Sequence, residues 1–66
     1  MRCYRFHMIG GQPLELEVDV ATIAELGEAL SRRRFIEGRM TQPDDDGVLA
    51  GVLIATSRIQ CVIETG

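Results

Sequence analysis

The chain begins with strict alternation. From Arg2 to Ile9, Tyr4, Phe6 and Met8 point one way and Cys3, Arg5 and His7 the other. From Leu14 to Asp19 the pattern repeats, with Leu14, Leu16 and Val18 opposed to Glu15, Glu17 and Asp19. A period of two marks strands with one face buried and one in water. Between them Gly10 and Gly11 supply the positive φ that a hairpin turn needs, and Pro13 stands at the turn edge, where its missing N–H costs least. The faces also predict a register. A two-residue turn would put the apolar rows on opposite sides, whereas a three-residue loop of Gly10, Gly11 and Gln12 pairs Met8 with Leu14 and Phe6 with Leu16. On the outer face Arg5 then meets Glu17, and His7 meets Glu15.

At Asp19 the period changes from two to that of a helix. Ile23, Leu26, Ala29 and Leu30 follow the three-and-four spacing of one helical face, so a helix is expected between Asp19 and Arg34. Asp19 can cap it, with Val18 and Ile23 as a hydrophobic staple. Thr22 and Glu25 have capping-box spacing and offer a second start three residues later. Gly27 inside the helix costs about 1 kcal/mol relative to Ala and suggests a close approach to a neighbouring backbone.

After the helix, Phe35 to Thr41 reads as a third strand, with Gly38 as a bulge or contact point. Gln42 to Gly47 is a turn or exposed loop. Val48 to Ile54 is an almost unbroken apolar run, and Ala55, Thr56 and Ser57 connect it to a last strand, Arg58 to Glu64, whose Ile59, Cys61 and Ile63 share a face. The expected fold is therefore one α+β domain over residues 1–66: a β-hairpin, one amphipathic helix, then three strands (ββαβββ), in a largely antiparallel sheet with the helix on one face.

The run from Val48 to Ile54 bears most on partners. It is apolar on both faces, as strands covered on both sides are, and one helix covers only one face. Either the sheet curls into a small barrel, or a second subunit covers the other face or pairs along an edge. The second subunit is the expected solution, with Leu49, Val52, Leu53 and Ile54 as the oligomer interface. Length strengthens this expectation. A chain of 66 residues buries only about 60% of its unfolded surface, so association would add stability that the core lacks.

Charge and chemistry add little. Ten acidic residues against seven basic ones, all Arg, give a net charge of −3, which argues against a general nucleic-acid binder. Arg32, Arg33 and Arg34 crowd the last helical turn, where positive charge complements the helix dipole. Together with Arg39 they form the candidate anion-binding set, since Arg makes paired hydrogen bonds to phosphates. Cys3, His7 and Cys61 are the only thiols and imidazole, without the spacing of a metal motif. Cys3 and His7 stand about 13 Å apart along one strand at roughly 3.3 Å per residue, too far for a catalytic dyad. Cys61 is expected to pack as a small apolar residue. Asp44, Asp45 and Asp46 read as a solvated turn, without the alternating ligands of a calcium loop. No catalytic residues, metal ligands or cofactor site are predicted.

Two cysteines are too few for a disulfide scaffold, no charged start followed by an apolar run marks a signal peptide, and no stretch reaches the roughly 20 apolar residues of a membrane span. A cytoplasmic protein without membrane contact is expected. The segment Arg32 to Phe35, followed by strands, faintly resembles the start of PilZ domains, which bind a cyclic dinucleotide through an Arg-x-x-x-Arg motif and a later motif of acid or amide, Ser and Gly. Four residues after Arg34 stands Gly38, and Thr56-Ser57-Arg58 lacks the acid and the glycine, so the resemblance implies no function here. The expected activity is a non-enzymatic, self-associating protein-interaction module, with anion or nucleic-acid binding as the alternative.

Overall fold

The computed structural model describes residues Met1–Gly66. Its order is β1 (Arg2–Met8), β2 (Leu14–Val18), α1 (Ile23–Arg32), β3 (Phe35–Met40), β4 (Gly51–Ala55), a single 3₁₀ turn (Thr56–Arg58) and β5 (Ile59–Glu64). The five strands form one antiparallel sheet in the order β4, β3, β2, β1, β5. This is the expected ββαβββ arrangement. No helix is long and apolar enough to cross a membrane.

The alternating strands keep their predicted faces but not their predicted register. Tyr4 pairs with Leu16, Arg5 with Glu15 and Phe6 with Leu14, a slip of two residues from the expected hairpin. Two residues is one full period, so every side chain stays on its own face while its partner changes. At the tip of β1 the opposite edge of the strand is held by β5: Met8 pairs with Ile59, and Ile9 N–H donates to the Arg58 carbonyl at 2.8 Å. The connection between the paired parts of β1 and β2 is correspondingly longer, with Gly10 at φ 73°.

Thr22 rather than Asp19 caps α1. Its Oγ1 accepts from the Glu25 N–H at 3.1 Å, and the Glu25 carboxylate accepts from the Ala21 N–H at 3.1 Å. Asp19 lies instead in a tight turn closed by the Val20 N–H on the Val18 carbonyl, which places Val18 in the sheet core and dissolves the expected staple. Only Leu26 of the helical stripe is fully buried; Ala29 and Leu30 are half-buried and Ile23 is exposed. Gly27 makes no close approach, for a Cβ built there meets nothing within 4 Å. Gly27→Ala is therefore expected to stabilise the protein by about 1 kcal/mol through helix propensity alone, read as a higher midpoint in urea unfolding. An unchanged or lower midpoint would mean that the site is crowded after all.

The core is Tyr4, Phe6, Leu16, Val18, Ile36 and Ile54 on one sheet face, closed by Leu26 from the helix. Gly38 shares that face, where a Cβ would meet the Glu17 carbonyl oxygen and Leu16 Cβ at 3.2 Å. It is the contact point that the sequence suggests, without a bulge. The Tyr4 hydroxyl is buried with no hydrogen-bond partner.

The link from β4 to β5 bends the sheet. These strands lie at opposite edges, four inter-strand steps or about 19 Å apart in a flat sheet. Ala55 and Ile59 are separated by only four residues, which span at most about 14 Å. The sheet must curl. The 3₁₀ turn holds the curl by joining distant parts of it: Thr56 N–H and Oγ1 donate to the Arg34 carbonyl at 2.8 and 3.1 Å, and Arg58 Nη2 donates to the Ile9 carbonyl at 3.3 Å. Curling gives Ile54 the cover that the sequence reading assigns to a second subunit.

Candidate functional site

The apolar run divides in two. Gly51 to Ala55 is strand, while Val48, Leu49 and Ala50 lead into it as exposed chain. Of the four expected interface residues, Ile54 is 3% exposed and belongs to the core, and Val52 is half-buried against it. Leu49 is 42% and Leu53 68% exposed. The surface on offer is therefore smaller than predicted.

It gains one residue outside the apolar run, Phe35 at the start of β3. Phe35 pairs with Ala55, and Glu37 pairs with Leu53, which puts Phe35 diagonally beside Leu53 on the outer face. Phe35 is 56% exposed. A signal was present, because Phe35 alternates with Ile36 and shares the parity of Glu37 and Arg39, a polar row in which a phenylalanine is out of place. Farther across this face the sheet is charged. Arg5 Nη2 stands 2.8 Å from Glu15 Oε1, and Glu17 lies opposite Arg39. Apolar residues thus collect on the β4 side, with Ile63 exposed on the far edge strand.

The arginine set does not converge. Arg32, Arg33 and Arg34 remain together at the end of α1, where the Arg33 and Arg34 carbonyls both accept from Thr56 Oγ1. Arg39 lies near the other end of β3, about 16 Å along the strand at roughly 3.3 Å per residue. Arg32 also has Glu28 at 3.8 Å, and Arg39 has Glu17 across the strand. The chain presents two small basic sites with acids nearby rather than one phosphate cradle.

The sulfur and imidazole groups are arranged otherwise than expected. His7 pairs across strands with Cys61, not with Glu15. A register shift between His7 and Met8 turns Ile59 towards the core, so Ile59 and Cys61 do not share a face and Cys61 is exposed. Cys3 remains several residues along β1, and no three His, Cys, Asp or Glu side chains stand close enough to hold a metal ion. Asp44 closes its own turn, its Oδ1 accepting from the Asp46 and Val48 N–H groups, each at 2.9 Å. That use of its carboxylate explains the short loop on local grounds.

Of the four depressions on the surface, two differ sharply in character. One, of about 290 Å³, is an apolar groove between α1 and β5 walled by Ile23, Leu26, Leu30, Ile59 and Val62. The other, of about 180 Å³, is polar and lies over Gly38 with Glu17, Asp19, Glu37 and Arg39 around it. Searches against protein families, curated proteins and solved structures find no match for this chain.

Proposed function

We propose that this chain is a non-enzymatic protein-interaction module that works as a homo-oligomer through the β4 side of its sheet. The observation that carries this reading is the pair Leu53 and Phe35, both more than half exposed and adjacent on the outer face at a sheet edge. Val48 and Leu49, also exposed, lead into the same strand. Large apolar side chains gathered at one edge lose unfavourable contact with water when another protein covers them. The thin core points the same way, since seven apolar side chains leave little stability in reserve and association adds to it. Two free thiols, Cys3 and Cys61, fit a reducing compartment such as the cytoplasm.

Size-exclusion chromatography with light scattering tests the reading. Near 50 μM, roughly the range where weak dimers show themselves, the expected mass is twice the 7.3 kDa of one chain. A mass of one chain at that and at twentyfold higher concentration would remove the proposal.

A further inference from the structure

Self-association, taken from the reading above, leaves open which surfaces meet, and the two edges of the sheet differ in a way that decides it. At the β4 edge the hydrogen-bond phase can be read from its ends. Met40 N–H donates to the Ala50 carbonyl and Thr56 N–H to the Arg34 carbonyl, so Ala50, Val52, Ile54 and Thr56 face β3. In an antiparallel ladder the alternate residues point the other way. The backbone groups of Gly51 and Leu53 therefore point outward, and no hydrogen bond outside the ladder uses them.

Edges of this kind invite a further strand unless they are guarded by charge, proline or a bulge. The segment Gly51–Ala55 has no charged residue, no proline and no irregularity in its pairing with β3. The β5 edge is guarded, with a register shift near its start and Glu64 at its end. One bare edge and one blocked edge favour a closed pair over an open chain of subunits. Joining β4 to β5 of the next copy would propagate without limit, whereas joining β4 to β4 uses the bare edge once in each molecule and stops.

We propose that two copies of this chain pair antiparallel along β4 about a two-fold axis near Val52, making one continuous ten-stranded sheet. In this register Gly51 of each copy faces Leu53 of the other, and the exposed Leu53 side chain lies beside a position that carries no side chain of its own. The same rows place Glu37 of one copy in line with Arg39 of the second, whereas an axis through Leu53 would align Glu37 with Glu37. The Phe35 and Leu53 pairs of both copies then form a single apolar stripe across the junction. A five-residue edge is small beside the roughly 800 Å² per partner of a standard interface, so the dissociation constant belongs in the micromolar range.

Amide hydrogen exchange followed by NMR, on the intact chain at about 1 mM and about 10 μM, tests the mode of pairing directly. The expected result is exchange at Gly51 and Leu53 at least tenfold slower in the concentrated sample, with Gln60 and Val62 of β5 unchanged. Leu53→Lys, at a side chain that is mostly in water, is expected to leave the fold intact and to weaken the dimer at least tenfold, since edge lysine blocks strand addition. A dimer whose Gly51 and Leu53 amides exchange at the same rate in both samples would overturn edge pairing while leaving self-association standing. A chain that is monomeric at about 1 mM would overturn both. Chemical-shift dispersion of the Leu53→Lys variant separates a lost dimer from a lost fold.

Discussion

Phe6→Ala is expected to leave a large fraction of the protein unfolded at room temperature. Phe6 is fully buried on β1, paired with Leu14 on one side and Val62 on the other, so the void would open where three strands meet. Truncating a buried phenylalanine to alanine costs about 3–5 kcal/mol, because the transfer energy of the ring is lost and its surroundings relax only in part. Native proteins hold roughly 0.05–0.15 kcal/mol per residue, which gives a chain of this length about 3–10 kcal/mol in all. The loss is comparable to the whole. Phe6→Leu keeps most of the volume and should cost less than about 1.5 kcal/mol. Urea unfolding followed by circular dichroism compares the two, and a loss below about 1 kcal/mol for the alanine variant would show that Phe6 is not central to the core.

Gly38→Val should destabilise the protein by about 2–3 kcal/mol, the upper part of the roughly 1–3 kcal/mol range for overpacking a filled interior. Residue propensity alone argues the reverse, for valine is favoured in strands and glycine is not. Space decides the sign. A Cβ at Gly38 meets the Glu17 carbonyl oxygen at 3.2 Å and the Leu16 side chain at 3.2 and 3.3 Å, and valine adds two methyl groups beyond it. The backbone oxygen cannot swing aside as a flexible side chain would. Separation of the strands relieves the clash only by breaking a seam that is already short, since β2 and β3 share two paired positions, Leu16 with Met40 and Glu17 with Arg39, where β3 and β4 share five. That short seam is the ladder joining the β4–β3 half of the sheet to the rest. For a domain of this size each kcal/mol moves the thermal midpoint by roughly 4–8 °C, so a fall of about 10–20 °C is expected. A midpoint that rises with valine would refute the packing account of Gly38.

The self-association reading stands on the same observations of packing. Had the curl of the sheet covered Leu53 and Phe35 as it covers Ile54, nothing apolar would remain to offer a partner on that side. It does not, because both side chains lie on the outer face, away from α1 and from the core. The arginines offer less. Divided between the end of α1 and the far end of β3, and accompanied by Glu28 and Glu17, they lack the converging geometry that an anion needs.

The sequence by itself determined which elements form and which way most side chains face. Alternation in β1 and β2, the three-and-four spacing through Leu26, and the Thr22 with Glu25 capping pair are local signals, and local backbone sterics and hydrogen bonding suffice to read them. Register and edge were decided only by the tertiary structure. A slip of two residues preserves the parity of every strand position, so periodicity cannot distinguish Arg5 beside Glu17 from Arg5 beside Glu15. The register shift facing Met8 reverses parity within β5, which is how Ile59 enters the core while Cys61 meets water. Ile54 and Leu53 are neighbours of the same chemical kind that alternation puts on opposite faces, and that the inner face is covered without a second copy follows from a connection too short to span a flat sheet. That constraint acts between residues at opposite edges of the sheet, and no window along the chain contains it.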